Sequence, residues 1–316
     1  MDKTIAFLSP QLCERGTTVA LYDYALAHEK TGGISIILYS RLTHKDILTK
    51  FQQAFQFVIQ FQTMAEVEKL IAELNIDGLY VIKYGHFDQY FTEKIPCLIH
   101  SVFAYQPHGK YACVSKKIAE DHKAVWLPHI VSRLVSEQEE PLQRKLFREK
   151  YQIPSDAYVY GRHGGYDTFS IDYVKQLISE EIDLHPNIWF VFLNTEKFTV
   201  HPRVLFLPAT TSLSEKGSFL AGCDAMIHAR KEGETFGLAV AEFGILNKPI
   251  LTCPATITND NAHILLGKDR VKIFTNREEC QQLLWKIPHL VSSTDNPYLE
   301  FGEEKVMKIF YQTIFE

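Results

Sequence analysis

The sequence is short of the brief signatures that announce a chemistry. It has no GxxxxGK followed by Ser or Thr, which disfavours a P-loop nucleotide hydrolase. No GxGxxG follows the first strand-like run, where SPQLCERGTT stands instead, and this disfavours a dinucleotide dehydrogenase. The GxSxG elbow is missing, and so is a DxD pair to hold a divalent cation. Thirteen histidines never fall into HExxH or a Cys/His ligand spacing, so a structural zinc has no candidate ligands. Six cysteines form no CxxC pair and mostly adjoin apolar runs, as small core residues of a reducing compartment do. No apolar run approaches the ~20 residues of a membrane-spanning helix, and the one in MDKTIAFLSP is far too short for a signal peptide. The expectation is a cytoplasmic protein.

Charge of one sign is also scarce. A net charge of -5 argues against a dedicated nucleic-acid binder. The one basic cluster, RKLFREK at 144–150, reads as a solvated helix face or as a weak contact for anionic lipid headgroups.

What is present is the composition of a folded protein, 46% hydrophobic and 22% charged, in a 316-residue chain long enough for two domains. Short β-branched or aromatic runs alternate with helical periodicity, the pattern of parallel sheets with helices on both faces. In the first half the strands are TIAFL (4–8), ISIILY (34–39), FVIQF (57–61), GLYVI (78–82) and CLIH (97–100), with TTVALYDYALAHEK and MAEVEKLIAEL as helices between them. The alternation breaks over 127–154, where prolines bracket a single helix, and then restarts with AYVYG, IWFVFL, VLFLP and AMIHA as strands. The spacing predicts two Rossmann-like α/β domains, 1–130 and 155–295, joined by a connecting stretch at 131–154. A C-terminal helix is expected in 296–316, able to return to the first domain. Ligands of such domains sit at the carboxyl ends of the strands, and two facing domains would put that edge in a cleft.

Three loops that follow predicted strands hold groups suited to a phosphorylated ligand. CERGTTVALYDYA places Gly16 just before a helix whose amide end could receive an anion, or could be an ordinary capped turn. VYGRHGGYDTF sets Arg162 directly after a strand, where its guanidinium could meet a diphosphate or a surface carboxylate. The most specific is IHARKEGETFGLAVAEFGILNKPILT (227–252). If its helix starts near Phe236, Glu234 lies just before the positive end and Glu242 about two turns inside. Carboxylates accept well from the vicinal hydroxyls of sugars, and Arg230 and Lys231 add positive charge beside the same loop. A solvated Glu242 on an exposed helix face is the alternative, made less comfortable by its neighbours Ala241 and Phe243.

The arrangement HARKEGETFGLAVAEFGILNKPIL resembles the nucleotide-sugar site of glycosyltransferase family 4, whose members have the GT-B fold of two facing Rossmann-like domains. Glu234, Phe236, Gly237 and Glu242 match the Glu-x7-Glu signature around its Phe-Gly pair. GRHGG resembles the arginine loop of the C-terminal domain, ERGTT the glycine loop of the N-terminal domain, and IHSVF a histidine-ended strand lining the cleft. The resemblance implies a retaining hexosyltransferase that takes a UDP- or GDP-sugar as donor and a glycan, lipid-linked or other hydroxyl as acceptor, with no cofactor or metal required. By the same resemblance Glu242 would hold the donor ribose and Glu234 the hexose hydroxyls. Amides at Phe236 and Gly237 would face the sugar and distal phosphate, and Arg162 would neutralise the diphosphate. Gly16 would let backbone approach it, and His100 would contact the transferred sugar.

Where family members usually carry a lysine after the arginine, this chain has glycine, tyrosine and aspartate. Either Arg230 or Lys231 substitutes for that lysine, or donor affinity and activity are weakened. A non-catalytic GT-B protein that binds a sugar nucleotide or glycan is the first alternative, and a sugar-nucleotide epimerase the second.

Overall fold

A computed structural model describes residues 3–13, 15–42, 45–289, 291 and 294–316, so that Glu14 of the ERGTT loop lies outside the described residues. The chain divides into two compact units, Met1–Ile130 with Phe301–Glu316, and Val131–Glu300.

The first unit begins with β1 (Thr4–Leu12), α1 (Gly16–Lys30), β2 (Ile34–Leu42), α2 (Lys45–Ala54), β3 (Phe57–Gln60) and α3 (Met64–Glu73). It continues with β4 (Gly78–Lys83), β5 (Cys97–Ser101), β6 (Lys110–Cys113), α4 (Lys116–His122) and β7 (Val125–Trp126). The strands form a sheet in the order β3-β2-β1-β4-β5-β6-β7, every pair parallel. Parallel strands covered on both faces read as unbroken apolar runs, and all six residues of β4 are buried. Two helices of this unit, α3 and α4, start where a side chain, Thr63 or Ser115, accepts from an open amide. Thr63 accepts from the Glu66 amide at 3.3 Å while the Glu66 carboxylate accepts from the Gln62 amide at 3.0 Å, a reciprocal cap at the start of α3.

The second unit runs α5 (Glu140–Lys150), β8 (Tyr158–Arg162), α6 (Asp172–Glu181), β9 (Ile188–Leu193), β10 (Val204–Leu207), α7 (Leu213–Gly222) and β11 (Ala225–Ile227). Then come α8 (Leu238–Ile245), β12 (Ile250–Thr252), α9 (Ala262–Gly267), β13 (Val271–Ile273) and α10 (Arg277–Leu284). Its parallel sheet has the order β10-β9-β8-β11-β12-β13. Residues read from the sequence as a connection fall inside this unit, because α5 packs on α7 through Phe147 and Phe219. The basic cluster on α5 is not a solvated face throughout. Arg148 is buried, bonding Asp224 at 2.7 Å and the carbonyls of Gly222 and Ala157, and Arg144 bonds the other oxygen of Asp224 at 2.5 Å.

The last helix, α11 (Glu303–Phe315), belongs to the first unit. Phe310 packs among Phe7, Tyr24 and Tyr80, and Tyr311 reaches the buried His28 at 2.7 Å. No helix of the described residues is long and apolar enough to cross a membrane.

Candidate functional site

In the second unit the chain leaves β8 for β9 on one side of the sheet and leaves β11 for β12 on the other, although β8 and β11 are neighbours. Their carboxyl ends therefore form the switch point at which open α/β sheets take ligands. β8 delivers Arg162 and His163 to this edge, and β11 delivers His228 and the loop to Gly237.

That loop is shaped by two glycines. Gly233, at φ 65°, approaches so closely that an added Cβ would lie 2.1 Å from the Asp260 carbonyl oxygen. This approach lets the Glu234 amide donate to that same oxygen at 2.7 Å and the Ala262 amide donate to the Glu234 carbonyl at 3.0 Å, fixing Glu234 on both sides. Gly237, at φ 83°, adopts a left-handed conformation that no right-handed helix contains. The helix consequently begins at Leu238 rather than near Phe236, and Glu242 is its fifth residue, a little over one turn in.

Glu234 is held from three directions. His228 Nε2 lies 3.1 Å from Oε1, Arg230 Nη1 lies 3.0 Å from Oε2, and the polypeptide fixes its backbone. Burial alone would raise the carboxyl, but the His228 hydrogen bond and the Arg230 guanidinium outweigh it and hold it at about 2. Behind it, His263 is fully buried, bonds the Cys253 carbonyl at 3.1 Å and is lowered to about 4, chiefly by burial.

Glu242 sits in a helix otherwise apolar on every side, with Val240, Ala241, Phe243, Gly244 and Ile245 buried around it. Lys216 of α7 brings its ammonium to 2.5 Å from Oε1, and His163 Nε2 stands 2.9 Å from Oε2. Burial again opposes ionisation, and Lys216 and His163 overcome it, so this carboxyl too is held at about 2. Beside this cluster a cavity of about 350 Å3 opens between α5, α7 and the ends of β9 and β10. Its wall includes Phe219, which meets His163 edge to face.

Several expected residues behave differently. Arg162 does not present its fork outward: it is 3% exposed, and its donors reach the Asn194 and Gly165 carbonyls and the hydroxyls of Thr195 and Thr168. Burial lowers it to about 10. It stitches the GRHGGYDT loop to the end of β9, which is a structural task. Lys231 turns away to Asp172 at the start of α6, 3.3 Å distant, so of the two bases beside the loop only Arg230 meets Glu234. His100 is fully buried, with Nδ1 2.7 Å from the Tyr80 hydroxyl and Nε2 2.7 Å from the Leu127 carbonyl oxygen. Both ring nitrogens are engaged inside the first unit, and burial lowers the imidazole to about 3, so His100 is a core residue and not a sugar contact. Gly16 is the first residue of α1, with open space where a side chain would be. Phe236 is buried through its ring. No sequence signal singles out Lys216, His163 or His228, since nothing in SEKGSF or VYGRH marks a residue that will meet a carboxylate from another element.

In the first unit the aromatics after β4 and β5 divide: Tyr90 and Phe91 pack against the core, while three others are exposed. Tyr84, Phe87 and Phe103 are 57%, 67% and 46% exposed, with Tyr84 and Phe103 ring to ring at 5.1 Å. Among the described residues no group of three His, Cys, Asp or Glu is placed to hold a metal ion.

No family model matches the chain, and no curated protein matches it in sequence. Solved structures do match it over nearly its full length. WaaG, a glycosyltransferase involved in lipopolysaccharide biosynthesis, is 12% identical with a TM-score of 0.66, covering 99% of this chain and 95% of its own. The Anabaena protein HepE, solved in complex with UDP and glucose, is 12% identical at a TM-score of 0.64, covering 99% and 96%. A UDP-GlcNAc 2-epimerase from Neisseria meningitidis, bound to UDP-GlcNAc, is 13% identical at 0.64, covering 98% and 99%. The fold is therefore GT-B, two Rossmann-like units with parallel sheets.

Proposed function

We propose that the chain is a glycosyltransferase of the family 4 type, moving a hexose from a UDP- or GDP-sugar to an acceptor hydroxyl with retention at the anomeric carbon. The observation that carries this reading is the pair Glu234 and Glu242, both ionised, disposed about the start of α8 at the β8/β11 switch point. Sugar hydroxyls donate to such carboxylates, Glu242 taking the ribose and Glu234 the hexose. A base would lie in the adjoining cavity by Phe219.

As the bond from the anomeric carbon to the distal phosphate oxygen breaks, negative charge grows on the diphosphate. Arg230 and the amide end of α8, with Gly237 at its start, are fixed in place before that charge develops and so favour the transition state over the ground state. The acceptor oxygen attacks from the same face, and its proton passes to the departing phosphate oxygen. We assign neutralisation to these groups rather than to a metal, since the sequence has no DxD pair. The first unit would supply the acceptor side: the exposed rings of Tyr84, Phe87 and Phe103 would receive an acceptor glycan or lipid-linked sugar, and the open amide end of α1 at Gly16 would be free to meet an anion. We propose the cytoplasm as the place of the reaction.

A thermal-shift screen against UDP-, GDP- and ADP-sugars tests the reading, since a ligand at 100 times its dissociation constant stabilises by about 2.7 kcal/mol. Absence of any shift would sink it. Two other readings each have an observation in favour. Arg162 donates from both terminal nitrogens to protein oxygens, as would suit a binding protein without turnover, and an epimerase stands among the similar structures. Product analysis without acceptor separates the second from a transferase, and turnover of the donor separates the first.

A further inference from the structure

We infer that Lys216 is a specificity-determining residue of the donor site, one that makes the site select ribonucleoside over deoxyribonucleoside diphosphates together with Glu242. The inference rests on the donor-site reading above and adds to it a residue from a different helix.

Three features of the Glu242 cluster are unexplained by folding alone. The Lys216 side chain is only 14% exposed, and Glu242 is the only partner of its Nζ among the described residues. An ammonium has three N–H groups, so two remain uncommitted. His163 Nε2 and Glu242 Oε2, though 2.9 Å apart, are misaligned for a hydrogen bond, and neither has a hydrogen-bonding partner among the described residues. Finally, the helices on either side are apolar at this depth, with Phe219 and Leu220 of α7 and Val240, Ala241 and Phe243 of α8 buried. A buried ion pair is generally no more stabilising than an apolar pair of the same volume, so stability gives no reason to keep a charged one here.

A vicinal diol completes the cluster. Each hydroxyl is at once a donor and an acceptor: it donates to a Glu242 oxygen and accepts from an uncommitted Lys216 N–H. Two adjacent hydroxyls, as in the 2′,3′ positions of a ribose, match the two carboxylate oxygens. A deoxy sugar leaves a buried charged acceptor and a buried ammonium proton unsatisfied, the situation in which sites built for a hydroxyl reject the analogue lacking it most strongly. Lys216 thus does more than neutralise Glu242. It supplies the second half of each hydroxyl's hydrogen bonding.

Isothermal titration with UDP, GDP and ADP and their 2′-deoxy counterparts tests this, on wild type and Lys216→Met. Wild type should prefer the tightest ribonucleotide over its deoxy form by about 10- to 100-fold, and Lys216→Met should weaken the ribonucleotide by a similar factor while the deoxy form changes little. The ratio therefore collapses, which a structural role would not produce. Should Lys216→Met not unfold cooperatively, Lys216→Gln keeps a donor for Glu242 and is judged by the same ratio. Equal losses for both nucleotides, or an unchanged ratio, overturn the inference while leaving the donor site standing. Binding of none of the three diphosphates to wild type overturns the donor site itself and this inference with it.

Discussion

His228 Nε2 stands 3.1 Å from Glu234 Oε1, and because a carboxylate only accepts, Nε2 donates to it, while Nδ1 lies 2.8 Å from the Thr252 hydroxyl. The first carboxylate of the site is thus oriented by a chain that runs back into β12, and Arg230 fixes its other oxygen. Glu234→Gln keeps the shape and loses the charge. Turnover of the preferred nucleotide sugar should fall about 100-fold at a temperature where the variant is still folded, on the scale of one or two charge-assisted hydrogen bonds, and the melting temperature should fall as well, because the ionised carboxylate held by His228 and Arg230 is lost. Steady-state kcat/KM of the variant decides, and wild-type turnover would remove Glu234 from the reaction.

Arg162→Met should act on stability before it acts on the donor. It leaves the Asn194 and Gly165 carbonyls and two threonine hydroxyls without their donor, a loss of roughly 2–4 kcal/mol. Urea denaturation should show a lower midpoint with unchanged slope. A variant of wild-type stability that binds nucleotide poorly would return the guanidinium to the ligand.

Gly237→Ala probes the left-handed residue before α8. At φ 83° an alanine is strained by roughly 1–2 kcal/mol. Its Cβ would also sit 3.3 Å from Glu234 Cγ and from His263 Cβ, so the carboxylate must shift. Donor affinity should drop by more than the stability loss accounts for, measurable as Kd against the melting temperature, whereas a purely structural effect would move only the latter.

Acid sensitivity should begin well above the carboxylate range. Burial lowers His100 to about 3, and His129 and His263 to about 4, against 6.5 when unfolded. Below pH 6.5 the unfolded chain takes up protons that the folded one refuses, so stability is fully present above that value and falls with pH, by ~2 kcal/mol per histidine at pH 5. The depressed carboxyls Glu234 and Glu242 add a second loss, from about pH 4.5 down toward 2. Melting curves from pH 7 to 4 should show the first slope, and His100→Gln should make it shallower; a flat profile to pH 5 contradicts the assignment of neutral buried imidazoles.

The sheet elements that could be read in advance were those whose burial leaves a mark in the residue string. GLYVI and IWFVFL are apolar without interruption because both faces are covered. By contrast β7, with two residues, and β13, with three, are too short to carry a period, and α2 offers only Ile47 and Phe51 to the core. Glu242 stands out in the sequence because a carboxylate in an apolar run is an anomaly, and Glu234 because it lies in a polar, glycine-bearing loop with seven residues between the two. Their partners do not: Lys216 lies on α7, twenty-six positions before Glu242, in a stretch that reads as any amphipathic turn. His100 misled for a related reason. A histidine ending a strand suggests an edge, but the neighbouring strand sets Tyr80 against it and the chain after β7 covers its other nitrogen.

The position of α11 has a consequence for synthesis. The aromatic cluster of Phe7, Tyr24 and Tyr80 is closed by Phe310, and the buried His28 by Tyr311, both from residues translated after the whole second unit. A nascent chain that has emerged as far as residue 300 carries a finished second unit and a first unit whose helix-docking face is still bare. During that interval the face is available to chaperones or to another nascent chain, and the first unit closes only once α11 has emerged.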